Sequence, residues 1–143
     1  MHPAPILVDS GFLVALGIRC DPRHAAAKAW LAGNTAPLLL TEPVITETCF
    51  FLSPTAKAAL LRWVGQGRQW RPIDIPVAAH TEIAALIEKY ADRDPDYTDA
   101  ALIWAAQAAN CPRILTVDRA DFEIYRLKGG KRFQLIDWEG GGD

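Results

Sequence analysis

Short, unbroken apolar runs alternate with helical patterns along the chain, and this alternation constrains the fold more than any other feature of the sequence. The runs that predict strands are, in order, ILV, PLLLT, WRPIDI, RILTV and RFQLID. Parallel strands that are covered on both faces read as continuous apolar runs, because neither face meets water. Strands that alternate with helices predict an α/β fold, with a mostly parallel sheet between two layers of helices.

The segments between these runs carry helix signals. Ser10 is suited to cap the first helix. Pro43 stands at the start of a later helix, whose apolar side we assign to Val44, Phe50 and Phe51. The stretch DYTDAALIWAAQAANC is apolar on almost every side. It therefore predicts a helix that is packed between neighbouring elements.

The length and the composition indicate one globular domain. A chain of 143 residues suits a single hydrophobic core. We predict one domain over residues 1–138 and a disordered, Gly-rich tail over residues 139–143. The net charge of −2, from 15 basic and 17 acidic residues, gives no global attraction to nucleic acid. Any RNA binding must therefore come from a local basic patch.

The sequence also bears on the compartment. No apolar run reaches the ~18 to 20 residues that a membrane span needs, and no secretory signal is visible. The three cysteines, Cys20, Cys49 and Cys111, are scattered and odd in number. Such cysteines are typical of reduced thiols and not of a disulfide framework or a zinc site. We therefore expect a cytoplasmic protein that makes no membrane contact.

Two of the predicted strands run straight into an aspartate, Asp9 after the first strand and Asp118 after the fourth. Binding sites of parallel α/β sheets lie beyond the carboxyl ends of the strands, where the strand order reverses. If the first and fourth strands are neighbours there, the two carboxylates converge. Two such anions repel by roughly 1 to 4 kcal/mol, so a cation, a shared proton or a nearby arginine must offset them.

Two further acids stand where a helix is otherwise apolar. Glu47 shares a face with the apolar side chains of its helix, and Asp99 lies at the start of the alanine-rich helix. Asp96 precedes Asp99 by one turn, so it either caps that helix or flanks it on the same side. Hard oxygen ligands that converge in one cleft suit Mg²⁺ or Mn²⁺.

Four motifs in order resemble those of the PIN-domain ribonucleases, in particular the toxin halves of VapBC-type toxin–antitoxin pairs. They are the hydrophobic-Asp-Ser-Gly near the start, a mid-chain Glu in an apolar helix, DYTDAALIWAA and ILTVDRADFEIYR. The resemblance covers nearly the whole chain. It implies a PIN-like, Rossmannoid three-layer α/β/α fold with a mostly parallel five-stranded sheet in the order 3-2-1-4-5.

The resemblance also implies the site residues. The four acidic positions of the family fall on Asp9, Glu47, Asp99 and Asp118, as catalytic residues and as ligands of Mg²⁺ or Mn²⁺. Asp96 falls on a nearby acidic position that varies among such proteins, and we count it as a further candidate ligand.

Three more residues are candidates for supporting roles. Thr116 falls on a small hydroxyl position beside the site, Ser10 follows the first acid, and Asp121 follows the last one at a spacing that differs among relatives.

The implied activity is metal-dependent hydrolysis of RNA, with water as nucleophile and with 5′-phosphate and 3′-hydroxyl products. The implied partners are an RNA substrate, a cognate antitoxin protein and a second copy of the chain in a homodimer. The last third of the chain supplies a local basic cluster that we predict to contact RNA, although such a cluster is also typical of a solvated turn. Its members are Arg119, Arg126, Lys128, Lys131 and Arg132.

Other classes stay open on the sequence alone. A PIN-domain RNA-processing nuclease without an antitoxin would carry the same acids. A phosphohydrolase with an aspartyl nucleophile would also use Asp9, but it usually wants a second acid where Gly11 stands. A phospho-receiver domain would have a lysine after the fourth strand, where Arg119 stands. A non-catalytic PIN-like binding module is the alternative that is not an enzyme, and the complete acidic set argues against it.

Overall fold

The computed structural model describes residues 3–140. Over these residues the chain alternates strands and helices much as the sequence predicts. The strands are β1 (Ile6–Val8), β2 (Leu38–Thr41), β3 (Trp70–Ile73), β4 (Arg113–Leu115) and β5 (Gln134–Leu135). The helices are α1 (Ser10–Gly17), α2 (His24–Ala32), α3 (Glu42–Cys49), α4 (Pro54–Gly65), α5 (His80–Lys89), α6 (Tyr97–Ala108) and α7 (Arg119–Ile124).

The strands form one parallel sheet in the order β3-β2-β1-β4-β5. The expected order 3-2-1-4-5 is therefore confirmed. Leu7 of β1 pairs with Leu39 of β2 on one side and with Ile114 of β4 on the other. Val8 and Leu115, the last residues of β1 and β4, are also partners. The segments that follow these two strands therefore leave the sheet side by side.

The core lies on both faces of the central strands. Leu7 is fully buried, as are Phe12 of α1 and Leu102 of α6. Phe12 makes edge-to-face contacts with Trp30 and with Trp138, with ring centroids 5.6 and 4.9 Å apart. Each fully buried side chain of this size contributes roughly 1.5 to 3 kcal/mol, so these layers hold the sheet in place. Most of α6 is buried, which confirms that it packs between neighbouring elements.

Two sequence-based assignments at helix ends are wrong. Ser10 does not cap α1; it is the first residue of that helix, and the carboxylate of Asp9 accepts a hydrogen bond from its N–H. The apolar side of α3 does not extend to Phe50 and Phe51, which are 80% and 61% exposed. The helix ends at Cys49, before these two side chains could continue its buried face.

The chain after β4 also differs from the sequence prediction. The fourth strand ends at Leu115, two residues earlier than its apolar run suggests. Six residues then form α7, which begins directly after Asp118 and is held by the buried ring of Phe122. The ring of Phe122 makes edge-to-face contacts with Tyr125 and Phe133, each with centroids 5.2 Å apart. This short helix sets the direction of the chain after Asp118.

The end of the chain is described as far as Gly140. Glu139 forms an ion pair with Arg23. Residues 141–143 lie outside the described residues, so the domain boundary at residue 138 and the disordered tail stay predictions. Within residues 3–140, no helix has both the length and the apolar character needed to cross a membrane.

Candidate active site

Three carboxylates from distant parts of the sequence meet at the carboxyl edge of the sheet. Asp9 follows β1, Asp99 lies in the first turn of α6, and Asp118 follows β4. One oxygen atom of each lies within 4.8 Å of the corresponding atoms of the other two. We call these three residues the acid cluster. The convergence follows from the pairing of β1 with β4, which places both strand ends at the same point of the sheet edge.

Asp9 is the buried member of the acid cluster, with 3% of its surface exposed. Its Oδ1 accepts a hydrogen bond from the N–H of Ser10 and its Oδ2 accepts one from the hydroxyl of Thr116, both at 2.8 Å. Burial raises the pKa of Asp9 to about 6, although these two hydrogen bonds lower it. The negative charges of Asp118 and Glu47 raise it further. The two hydrogen bonds fix the orientation of the Asp9 carboxylate.

Thr116 connects two members of the acid cluster. Its hydroxyl donates to Asp9 and accepts from the N–H of Asp118 at 2.9 Å. The indole N–H of Trp138 donates to the carbonyl of Thr116 at 3.2 Å. These bonds hold the loop after β4 against the end of β1. Thr116 was expected to lie beside the acids, and its hydroxyl links the segments that follow β1 and β4.

Asp96 and Asp99 have different positions at the start of α6. Asp96 is the N-cap, and its carboxylate accepts from the N–H of Asp99 at 2.8 Å. Asp99 therefore does not cap the helix, and its carboxylate is part of the acid cluster. Burial raises the pKa of Asp99 to about 8, and the charges of Asp96, Asp9, Asp118 and Glu47 add to this effect.

The acid cluster carries excess negative charge. Partial burial raises the pKa of Asp118, and the charges of Asp121 and Asp96 raise it further. Among residues 3–140, no basic side chain forms a salt bridge with any of the three cluster carboxylates, and the neighbouring acids named above raise their pKa. Carboxylates at this separation repel one another unless a cation or a proton lies between them. Three hard oxygen donors with this excess of charge fit Mg²⁺ or Mn²⁺.

The family model of the PIN domain matches residues 6–128. This chain belongs to the PIN-domain family. One similar protein is ribonuclease VapC26 of Mycobacterium tuberculosis (strain ATCC 25618 / H37Rv), 27% identical over 135 residues that cover 92% of this chain and 99% of the relative. The crystal structure of M. tuberculosis VapC20, a Sarcin-Ricin loop cleaving toxin, superposes with a TM-score of 0.66 at 20% identity. That likeness covers 76% of this chain and 86% of VapC20. The resemblance inferred from the sequence is confirmed.

Glu47 lies near the acid cluster of this PIN domain but outside its 4.8 Å group. The side chain is half-buried on α3, and its charge raises the pKa of both Asp9 and Asp99. Asp121, the other uncertain acid, forms an ion pair with Arg93 at 2.9 Å. Asp121 is thus compensated by a cation of its own, whereas the cluster acids are not. The role of Glu47 as a catalytic residue and metal ligand, and that of Asp121 as a supporting residue, stay predictions.

The glycine of the Asp-Ser-Gly motif allows a close approach between α1 and the loop after β4. A Cβ atom on Gly11 would lie 2.5 Å from Cγ2 of Val117. Val117 stands next to Asp118, so a side chain at position 11 would push that loop away from Asp9. The sequence shows Gly11 only as part of a motif, because the contact joins residues that are far apart in the chain.

Four of the five residues predicted to bind RNA, Arg126, Lys128, Lys131 and Arg132, lie in one compact turn. The guanidinium of Arg126 donates to the carbonyl oxygens of Glu123, Ile124 and Tyr125, which end α7. Arg126 also pairs with Arg132 as an isolated antiparallel bridge. We call residues 126–132 the basic turn. Its side chains are not among the groups that shift the pKa of the acid cluster.

Arg119, the remaining member of the predicted RNA-binding cluster, lies outside the basic turn at the start of α7. Its guanidinium donates to the carbonyl of Ile136 at 3.3 Å, and the side chain is half-buried. The bond ties α7 to the segment after β5. Contact of these basic residues with RNA stays a prediction.

Tyr125 is a neighbour of the site that the sequence does not reveal. Its side chain is fully buried, and its hydroxyl has no hydrogen-bond partner among the described residues. Burial raises the pKa of this phenol, and the charges of Asp99, Asp121 and Asp96 raise it further. A single tyrosine after a short polar helix gives no signal in the sequence, because only the tertiary fold brings it near α6.

Proposed function

We propose that this PIN domain is a metal-dependent endoribonuclease of the VapC toxin type, with Mg²⁺ or Mn²⁺ held by Asp9, Asp99 and Asp118. The convergence of these carboxylates within 4.8 Å, without a compensating basic group among the described residues, carries the proposal. Glu47 and Asp96 add negative charge around the same ion. The names of VapC26, a ribonuclease, and of VapC20, a toxin that cleaves the Sarcin-Ricin loop, support the choice of RNA as substrate.

The residues of the cluster prepare the site for a phosphodiester. Each oxygen of Asp9 accepts one hydrogen bond and keeps a lone pair for a further partner. When bound, a divalent ion supplies Lewis-acid stabilisation of the charge that develops on the phosphate and lowers the pKa of a water molecule. The hydroxyl of Thr116 already donates to the carboxylate of Asp9 and accepts from the backbone N–H of Asp118, so it orients Asp9 and does not attack the phosphate. Water is therefore the nucleophile that we propose.

The buried, doubly hydrogen-bonded state of Asp9 also bears on the alternative of an aspartyl nucleophile. A nucleophilic carboxylate must approach phosphorus in line, and the side chain of Asp9 is only 3% exposed, whereas a metal ion needs only the lone pair that each hydrogen-bonded oxygen keeps. This geometry favours a ligand over a nucleophile.

The activity is tested with a 5′-labelled RNA and purified protein in Mg²⁺, in Mn²⁺ and in EDTA. We expect cleavage with either ion, none in EDTA, and fragments that end in a 3′-hydroxyl and begin with a 5′-phosphate. Cleavage that persists in EDTA and leaves a cyclic phosphate would contradict the proposal, because that product needs no metal-activated water.

We also propose that an antitoxin covers the acid cluster with a basic side chain. A guanidinium or ammonium group would offset the same excess charge as a metal ion and form charge-assisted hydrogen bonds with the carboxylates. Co-expression of the chain with the gene beside its own should then yield a complex with little nuclease activity. Two separately eluting proteins would instead favour an RNA-processing nuclease without an antitoxin.

The proposed assembly is a homodimer that acts in the cytoplasm. Light scattering of the purified chain at high micromolar concentration should give twice the monomer mass of 15.7 kDa. A single monomeric species at that concentration would contradict the dimer.

A further inference from the structure

A second cleft opens at the same edge of the sheet as the acid cluster. It has a volume of about 680 Å³ and lies over the carboxyl ends of β2 and β3. We call it the β2–β3 cleft. The residues that matter for its chemistry are Glu42, Thr46, Ile73, Asp74, His80 and Tyr97. Its volume falls within the range of small-ligand sites in proteins.

Two helices contribute residues both to the β2–β3 cleft and to the surroundings of the proposed active site. Tyr97 is the first residue of α6, between the cap Asp96 and the cluster residue Asp99. Glu42 belongs to α3, the helix that carries Glu47. β2 is the direct neighbour of β1, which ends at Asp9, so the cleft lies one to two strand spacings, ~5 to 10 Å, from the acid cluster. An RNA bound at the cluster would reach the cleft with an adjacent nucleoside.

A fixed aromatic pair forms one side of the cleft. The rings of His80 and Tyr97 lie 12° from parallel with centroids 5.7 Å apart, and Nε2 of the imidazole is 2.9 Å from the phenolic oxygen. Nδ1 lies 3.0 Å from the carbonyl of Val77, which can only accept, so Nδ1 carries a proton. In the neutral imidazole, Nε2 then accepts from the hydroxyl of Tyr97. Both rings are held in orientation, while 43% of Tyr97 stays exposed.

The remaining lining selects the kind of ligand. Among the described residues that line the cleft there is no lysine or arginine, so it offers no permanent positive charge to a phosphate. Glu42 and Asp74 instead supply carboxylates, which accept hydrogen bonds and repel anions. Exposed aromatic rings beside a nuclease site are suited to stacking with an unpaired base. A neutral, flat ligand that donates hydrogen bonds matches this combination.

We infer that the β2–β3 cleft binds a base of the RNA substrate next to the scissile phosphate, stacked on Tyr97, and that its carboxylates select guanine. Guanine presents two adjacent N–H donors, N1–H and the N2 amino group, which pair with one carboxylate. Cytosine and adenine offer only an amino group in comparable positions, and uracil offers a single ring N–H. This inference rests on the proposed ribonuclease activity and adds to it a determinant of sequence preference.

The inference is tested by cleavage of an RNA pool with a randomised single-stranded segment, followed by sequencing of the new 5′-ends. We expect the wild-type protein to enrich guanosine at one position beside the cut. Tyr97→Ala should lose this enrichment and reduce kcat/KM about ten- to hundredfold, because it removes the stacking surface. Tyr97→Phe should keep most of the preference, since the ring remains.

Two further sets of variants separate stacking from base selection. Glu42→Gln and Asp74→Asn should weaken the preference for guanosine by lowering kcat/KM for RNA that carries guanosine at this position, because each change removes a charged acceptor. Phe50→Ala is the matched control, because Phe50 is an exposed aromatic residue, 80% accessible, that does not line the cleft. It should leave the base preference unchanged.

A binding experiment keeps the inference testable if no RNA is cut. Guanosine, adenosine and uridine are titrated into the metal-free protein and followed by amide chemical shifts. Guanosine should shift the signals of residues that line the cleft at lower concentration than the other two nucleosides, and Tyr97→Ala should abolish the shifts. Failure of wild-type cleavage would overturn the ribonuclease proposal alone. Cleavage with an unchanged preference in Tyr97→Ala, or equal weak shifts with all nucleosides, would overturn the inference alone.

Discussion

The acid cluster and the basic turn carry opposite charges, and the fold assembles them in opposite ways. The acids come from the ends of β1 and β4 and from the start of α6, and no basic side chain among the described residues forms a salt bridge with them. The basic turn is a single short segment, and the guanidinium of its Arg126 donates hydrogen bonds to the carbonyl oxygens at the end of α7. One charge cluster is built by long-range packing and left without compensation, whereas part of the other is compensated locally.

The difference in charge compensation indicates which of the two clusters is a functional site and which one stabilises the fold. Holding like charges together lowers stability, so a fold that does so needs a bound cation to recover the loss. A basic side chain that binds its own helix end already contributes to the fold without any ligand. Charge that converges from distant segments is therefore the stronger indication of a site, and the following experiments test that distinction.

The largest effect is expected from Asp99→Asn. The change removes one charge from the acid cluster without removing a helix cap, because Asp96 is the cap. Loss of an outer partner of a metal ligand already costs about 10- to 100-fold, so kcat should fall by more than about a hundredfold. The thermal midpoint without metal should stay the same near neutral pH, where Asp99 already holds a proton, and should rise above about pH 8, where repulsion decreases. Asp92→Asn, an exposed acid of the preceding loop, is the control and should leave both properties unchanged.

The paired readouts decide what Asp99 does. A variant that loses metal-free stability together with cleavage would identify a structural carboxylate. A variant that keeps full cleavage would remove Asp99 from the site. The same test applies to Asp9→Asn and Asp118→Asn, and their effects should not add if the three acids hold one ion as proposed.

Gly11→Ala should be the next largest. The new Cβ would lie 2.5 Å from Val117, and such overpacking typically costs about 1 to 3 kcal/mol of stability. Cleavage should fall further than this loss explains, since the displaced loop carries Asp118. The double variant Gly11→Ala with Val117→Ala should recover cleavage, because the clashing methyl groups are gone. Gly65→Ala, with no atom within 4 Å of the added carbon, is the control. A double variant as inactive as Gly11→Ala would contradict this account.

The acid cluster should also make stability depend on pH. The pKa of Asp99 is about 8 and that of Asp9 about 6 in the folded state, whereas an unfolded aspartate titrates near 3.9. The folded state therefore binds more protons between these values, and metal-free stability should fall as the pH rises from ~4 to ~8. Thermal melts in EDTA should show this slope, and Asp99→Asn should flatten its upper part. Saturating Mg²⁺ should do the same for the wild type. A midpoint that rises with pH in this range would contradict the assignment.

The basic turn should give the smallest effects. Arg126→Ala should lower the free energy of unfolding by about 1 kcal/mol, because carbonyl oxygens at the end of α7 lose their donor. Lys128→Ala and Lys131→Ala should leave stability unchanged. If the turn contacts RNA, each lysine variant should reduce the slope of log affinity against log salt by roughly 0.7. Slopes identical to that of the wild type would exclude the turn from the RNA interface.

The sequence could indicate the fold and the members of the cluster because the strands, and the acids that follow them, are visible as local patterns. Buried strands read as apolar runs, and an acid that directly follows such a run is visible without a structure. The adjacency of β1 and β4, which joins Asp9 to Asp118, came from the family resemblance and is confirmed by the sheet order. The choice between cap and cluster for Asp99 needed coordinates, since Asp96 was an equally suitable cap.

The remaining features were hidden because they depend on contacts between distant residues. The contact of Gly11 with Val117, the buried hydroxyl of Tyr125 and the ion pair of Arg93 with Asp121 have no periodic signature. The wrong assignment of Phe50 has a similar cause: helical spacing continues the pattern, but the chain leaves the helix at Cys49. Six residues of α7 are too few for a hydrophobic period to stand out.

The hydrogen bond from Trp138 to the carbonyl of Thr116 has a consequence for biosynthesis. Chains emerge from the ribosome amino end first and begin to fold as they appear. β1, α6 and β4 can gather before residue 138 leaves the exit tunnel, but the loop that fixes Asp9 then lacks its last donor, and Phe12 lacks its edge-to-face partner. A nascent chain should therefore hold the carboxylates loosely until residue 138 has left the exit tunnel. This order of events would delay the assembly of the site until after the sheet has formed.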